Sequence, residues 1–533
     1  MKKQKAISMA LITVLLTGIF SGCAPTAVPP EGTAETAAPA RQTPAQQAPA
    51  PQTEAAEAIV RGLTIAIQLE ATTIMPARHT SMTAGHKNAL THNGLFRIHY
   101  DDLQPVPDLV ESWSAVSDTL FEFVLREGVM FHNGEEVTAY DVVASFEYLR
   151  TYPYARAIHA SVAEAYVVDR RTLRIDTGEP NALLFSDLAH QSNFVLPASL
   201  IAAGHDFTVD PIGSGPFVFE EWRFGDSLTF NRFDDYFDSE RFPQLKYIVW
   251  RIIPEGASRT IALETGEVNY IVEVAFPDIP RMEENPGITV FQRPSVTHNF
   301  MLINNDLPQF SNIYVRHAID MAIDKEAAVM ASVDGWGIPI WETVPTVLPG
   351  ASSEGIRSFD PDGARAILAA QGIDPATLGF EMLAFNEEGR RRGEVVQSNL
   401  ADIGIPTTIS MMDLAAFLSV TQTMDYEAAF SNFTSNNLPA FLRGLMHLDT
   451  IDGQNRSRIR NQELSDLIDK AIATVDVEAR NAILEEASRV ANVHAGLIPM
   501  HLGIMVRAFD SRLVVPEISA SGMMYLNMVS WGE

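Results

Sequence analysis

A single cysteine, Cys23, is present among the 533 residues. No disulfide can close within such a chain, and no cysteine-based metal site can form. Whatever it folds into must be held by its own core, hydrogen bonds and charges. The thiol's position is equally restrictive. It follows "MKKQK", which has three lysines and no acid. Next comes a run of about fifteen mostly apolar residues ending at Ser21-Gly22, too short to span a bilayer comfortably. A basic start, a short apolar run and a small-residue exit describe a cleaved secretory leader over residues 1–22. A single-pass anchor is the alternative, opposed by Thr13, Thr17 and Gly18, which dilute the run.

Residues 23–58 cannot fold by burial. From Ala24 onward they are mostly Ala, Pro, Thr, Gln and Glu, and Val28 is the only large aliphatic side chain before Ile59. Too little apolar surface is present to offset the entropy of ordering the segment. Its prolines favour extended chain at about 3 Å per residue, so the stretch reaches on the order of 100 Å. It reads as a tether.

The roughly 475 residues that follow exceed one compact core of ordinary size and predict two or three lobes. Without the leader's three lysines, 35 basic residues face 67 acidic ones, a net charge of −32. That sign repels nucleic acid and excludes it as a primary partner. No stretch after the leader is long and apolar enough to span a membrane.

Local patterns predict an α/β body. In "RGLTIAIQLE", Leu63, Ile65, Ile67 and Leu69 alternate with smaller or polar residues, which predicts a half-buried strand. "LFEFVLREGVMFHNGEEV" reads as strands meeting at Asn133-Gly134, a pair that tolerates positive φ. Thr138 can cap a helix with Asp141 three residues on, placing Val142, Phe146 and Leu149 on one face. Asp360, Pro361 and Gly372 mark the cap, first turn and stop of another helix. Val396, Leu400 and Ile403 line a third, closed by Gly404 before the strand-like "IPTTIS". "SDLIDKAIA" and "RNAILEEASRVA" are further amphipathic helices.

The catalytic motifs tested are absent. There is no His-Glu-x-x-His, no Gly-x-Ser-x-Gly and no phosphate loop with its lysine. "GSGPF" at 213–217 reads as a turn needing backbone freedom. His79, His86 and His92 lie six or seven apart, a spacing that puts no ligand pair on one helical face. No metal, cofactor or enzymatic activity is predicted.

The stretch from Asn93 to Leu149 is the most specific in the chain. "NGLF", "PDLVESW", "FVLREGVMFHNG" and "TAYDVVASF" together resemble the extracytoplasmic solute-binding proteins of family 5, the oligopeptide- and dipeptide-binding subunits of ABC importers. The likeness continues through "PIGSGPFVFEEW", "SRTIALETGEVNYI", "NFMLINND", "YVRHAIDMAIDKEAAV", "FDPDGARAILAAQGI" and "RRRGEVVQSNLADIGI", in the family's order. "FSGC" similarly resembles the lipobox of bacterial lipoproteins, with Phe20 where an aliphatic residue is usual, and implies lipidation at Cys23.

The resemblance implies a type II periplasmic binding protein, in which two hinged lobes close over a ligand and an extra lobe rides on the first. It implies lobe I over 59–99, 212–297 and 502–533, lobe II, the extra lobe, over 100–211, and lobe III over 298–501. It implies a monomer, without cofactor, that takes a peptide or peptide-like solute and delivers it to membrane permease subunits, lipid-anchored on the outer face of the cell membrane or periplasmic. A non-peptide solute (an opine, a sugar or a nickel chelate), a signalling receptor and an exported hydrolase are the alternatives. In the family's peptide binders an Asp before a Pro pairs with the ligand ammonium. Counting back from Pro439, that place falls on Ser435, next to Asn436. A serine cannot balance a buried ammonium. Other pocket positions implied by the likeness are Asn386, Arg390 and Arg391 in "FNEEGRRRGE", Trp336, and Thr72 just past the first strand. For the arginines a solvated helix start, and for Trp336 ordinary packing, are the alternatives.

Overall fold

The computed structural model describes residues 61–532 other than 72, 79–81, 452 and 517. Cys23, the expected leader and tether, Thr72 and His79 lie outside the described residues.

Strand Leu63–Ile67 opens the described chain and pairs in parallel with Tyr247–Ile252 on one side and Tyr270–Ile271 on the other. Leu63, Ile65 and Ile67 enter one core with Trp250, Phe217 and Phe230. Ala66 enters a second with Ile271, Ile279 and Ala508. The strand is therefore buried on both faces, which corrects the half-buried expectation. A methyl group facing a second core looks like a polar-face position when only large side chains are counted.

This strand belongs to an eleven-stranded mixed sheet. At its middle run two long antiparallel strands, Ile288–Ile303 and Leu497–Asp510. One end of the pair reaches Tyr270–Ile271 through Phe509 and Ala508. The other reaches Ala428–Thr434, paired from Thr297 to Ile303. The register between the long strands slips at Pro294–His298 and again at Asn299–Phe300, which bends and twists the ribbon locally. Beyond it, Phe380–Ala384 and Thr407–Met411 continue in parallel. Helices cover this half on both faces. One core holds Ala318, Leu368, Val396 and Leu400, and the other holds Leu442, Ile468 and Leu484.

A separate four-stranded antiparallel sheet joins Val110–Ala115, Leu120–Leu125, Thr172–Asp176 and Glu164–Val167 in that order. Helix Ala139–Leu149 packs on it through Val142 and Phe146, while Leu149 enters a separate small core with Met75, Leu196 and Phe207. The predicted cap is present: Asp141 accepts the Thr138 backbone N–H at 2.8 Å. The predicted hairpin at Asn133-Gly134 is smaller than expected. Gly134 has φ +84° in a turn, but only an isolated bridge between Met130 and Glu136 flanks it, because Leu120–Leu125 pairs with its two sheet neighbours instead. Helices Pro361–Ala370 and Glu387–Asp402 form as predicted, and the Asp360 side chain accepts the Gly363 N–H at 2.8 Å.

A buried charge cluster fixes the helices beside the long strands. Lys325 Nζ lies 2.8 Å from Asp320 Oδ1, both side chains 0 % exposed, and Arg357 Nε lies 3.0 Å from Asp320 Oδ2. These residues explain part of the "AIDMAIDK" run: Asp320 supplies the one carboxylate that two buried or half-buried cations share.

Candidate ligand cavity

A cavity of about 560 Å³ opens between Asn432–Asn437 and Gln454 on one side and a composite wall on the other. That wall is contributed by the end of helix Met82–Thr91, the strand Phe96–Ile98, helix Leu184–Leu188 and the C-terminal segment Ser521–Asn527. The volume falls within the usual range for small-ligand sites, about 300–1,000 Å³.

The glycines of "GSGPF" position one wall. A Cβ on Gly213 would sit 2.1 Å from the Thr91 carbonyl oxygen, and one on Gly215 2.4 Å from that of Leu90. Neither glycine has a positive φ. Close backbone approach, not the expected turn freedom, is what requires glycine here. The contact presents His92 and Asn93 to the cavity. Burial lowers the His92 pKa to about 3, so it is neutral, and its ring stacks on Phe194 at 5.9 Å. Buried His86 instead donates to, or is fixed by, the Gly522 carbonyl at 2.9 Å, so the two described histidines of the trio serve packing and the wall.

The loop from Asn432 to Asn437 forms the facing wall. Its strand, Ala428–Thr434, is in register with Ile288–Ile303, and Asn437 caps helix Leu438–Met446 by accepting the Ala440 N–H at 2.8 Å. Ser435 and Asn436 both line the cavity. The Ser435 hydroxyl donates to the Asn437 carbonyl at 2.8 Å, so it tightens the turn and brings no charge.

The other expected positions stand apart from this cavity. Asn386 caps Glu387–Asp402 by accepting the Gly389 N–H at 2.8 Å. Arg390 is paired with Glu387 and Glu394, and Arg391 lies 3.5 Å from Glu387, on an exposed helix face. Trp336 stacks on Phe276 with centroids 6.3 Å apart, packed against the core that holds Ala66. These four residues thus have local partners and do not line this cavity.

Charge in the cavity comes from four residues that sequence reasoning did not single out. Asp108 and Arg241 are joined at 2.6 Å, Asn93 donates to Asp108 at 2.8 Å, and Arg241 also holds Asp238 at 2.6 Å. Asp187 and Arg97 are the other two. The Arg97 guanidinium lies over the Tyr525 ring, 5.9 Å from its centroid, and the Tyr525 hydroxyl donates to the Ile98 carbonyl. Asp187 is half-buried where it faces the cavity, and burial pushes its carboxyl up to about 7. Among the described residues no group of three His, Cys, Asp or Glu could hold a metal ion.

A cavity of this size, walled on one side by the loop after Ala428–Thr434 and on the other by elements outside the large sheet, suits a small solute. Residues 104–447 match the family model of the bacterial extracellular solute-binding proteins, family 5, and the chain belongs to that family. It is 26 % identical over 460 residues to heme-binding protein A of Haemophilus influenzae, covering 79 % of this chain and 83 % of that one. It is 26 % identical over 368 residues to the glutathione-binding protein GsiB of Salmonella typhi, covering 66 % and 70 %. Its fold is that of type II periplasmic binding proteins: the periplasmic binding protein DppA of Helicobacter pylori, solved with the peptide STSA, superposes with a TM-score of 0.77 at 22 % identity, over 89 % of this chain and 98 % of that one. The chain is thus an extracytoplasmic substrate-binding protein of the ABC-importer type and not an enzyme.

Proposed function

We propose that this protein captures a short peptide or a peptide-like solute such as glutathione and hands it to the permease of an ABC importer. The observation that carries this reading is the cavity's lining. Asn432, Asn436 and Gln454 bring side-chain amides to it from the loop side, and the opposite wall adds Asn93 and Gln191 as polar lining. Peptide bonds need such donors and acceptors when they leave water, whereas a flat apolar macrocycle such as heme would strand them.

A ligand touching both walls favours the closed arrangement by its differential contacts, and a transporter can read that state. The lobes are taken as 59–99 with 212–297 and 502–533, 100–211, and 298–501. Motion between the first and third would bend the long strands where their register slips, beside the 297/298 and 501/502 boundaries. Cleavage before Cys23 and lipidation of its thiol would hold the body near the membrane through the 23–58 tether.

Thermal unfolding of the full chain with trialanine, glutathione or hemin added tests the ligand class. A ligand at a hundred times its Kd stabilises the fold by about 2.7 kcal/mol. A peptide should raise Tm and hemin should not; stabilisation by hemin alone would overturn the reading.

A further inference from the structure

The cavity wall carries two carboxylates and two arginines. One of each is spent: Asp108 and Arg241 hold one another, with Asn93 and Asp238 completing the set. Asp187 and Arg97 form no ion pair with each other or with any described residue within 4.0 Å, and Arg97 Nε is buried without a hydrogen-bond partner. Their placement follows from packing. Phe96 and Phe185 meet edge to face at 5.1 Å, which holds helix Leu184–Leu188 against strand Phe96–Ile98. Arg97 follows Phe96 on the strand and so points to the opposite face. Asp187 follows Phe185 by two, about 200° around the helix, and likewise turns away from the Phe pair. Both thereby reach the cavity.

Resting on the peptide reading, we propose that Asp187 receives the ligand's ammonium group and Arg97 its carboxylate, so that the protein selects zwitterionic peptides through the wall opposite the Asn432–Asn437 loop. The loop's Ser435 leaves an ammonium without a counter-charge, and Asp187 is the acid on the same cavity that has the Ser161 hydroxyl beside it but no ion-pair partner among the described residues. Arg97 is held over Tyr525 with its fork uncommitted, suited to a bidentate carboxylate. The charged or titratable groups around Asp187 are Arg97 on the adjoining strand, His190 following its own helix, buried neutral His159 on the turn packed beneath it, and Arg443 on helix Leu438–Met446. Arg443 is exposed and acts on Asp187 only at a distance, lowering its pKa less than burial raises it. An ammonium in contact would complete the pair and draw the carboxyl's proton off.

Calorimetric titration of the full chain with trialanine, N-acetyl-trialanine and trialanine amide tests this, in the native protein and in Asp187→Asn, Arg97→Gln and Arg443→Gln. Native protein should lose about thirtyfold in affinity or more on acetylation and on amidation. Asp187→Asn should erase the acetylation penalty alone, and Arg97→Gln the amidation penalty alone. Trialanine should bind tens of times more weakly at pH 5 than at pH 7.5. An acetylation penalty unchanged in Asp187→Asn would overturn the assignment while leaving peptide capture standing. Equal weakening of all three peptides by Arg443→Gln, with Asp187→Asn doing the same, would overturn it in favour of an Asp187–Arg443 latch between the walls. No binding of any peptide by native protein would overturn both readings.

Discussion

Replacing Asp320 with alanine should be among the costliest single changes in the chain. Asp320 and Lys325 are both fully buried, and Arg357 shares the same carboxylate. The substitution strands both cations. Arg357 keeps the carbonyls of Gly355 at 3.2 Å and Asn492 at 2.6 Å. Lys325 keeps no ion-pair partner among the described residues, only Glu342 at longer range and the face of Trp341 at 5.8 Å. Breaking a buried pair by removing one partner costs about 3–5 kcal/mol. Lys325 has an escape, since burial already lowers its pKa. Shedding the proton at pH 7 costs about 5 kcal/mol from the ordinary lysine value, which caps the penalty. At about 2–4 °C per kcal/mol for a region of 150–250 residues, Tm should fall by about 6–20 °C. Lys325→Met is the control. It removes the buried cation and leaves Asp320 with Arg357, so it should cost under about 2 kcal/mol. Thermal unfolding followed by tryptophan fluorescence reads both. In Asp320→Ala the folded state binds fewer protons than the unfolded one, so the penalty should shrink as pH rises from 7 towards 10. A loss below about 1 kcal/mol, or a Lys325→Met loss as large as that of Asp320→Ala, would refute the reasoning.

The raised Asp187 pKa has a stability consequence without ligand. The folded state binds more protons than the unfolded state between about pH 4 and 7, so Asp187 lowers stability as pH rises through that window. Asp187→Asn should therefore be more stable than native protein at pH 8 and equal to it at pH 4, by thermal unfolding. Gly215→Val should weaken both fold and binding, because its Cβ meets the Leu90 carbonyl at 2.4 Å; a loss of about 2 kcal/mol or more is expected by denaturant titration. Cys23→Ser should move the protein from the membrane to the soluble fraction of expressing cells, read by fractionation.

Several elements were legible because their signals are local. The cap, first-turn proline and stop glycine of Pro361–Ala370 lie within a dozen residues, and all are used. The charge pattern "EEGRRRGE" was also local, and helical spacing alone assigns Arg390 to Glu387 and Glu394 and Arg392 to Glu388. The family likeness implies the arginines as ligand contacts, and helical spacing accounts for their partners in the structure. The second core facing Ala66 was not readable, because it is built from residues some two hundred to four hundred and fifty positions away in the chain. Asp187 and Arg97 were hidden for a related reason. Among 67 acids, a carboxylate is conspicuous only once every other acid on its cavity has been given a partner, and those partners are set by tertiary structure.

The most direct test of peptide capture is what the protein carries when isolated. The full chain, purified without denaturation and then unfolded, would release any bound small molecule for mass spectrometry. Short peptides with free amino and carboxyl ends, or glutathione, are the predicted release. A single non-peptide species, or heme, would contradict the account.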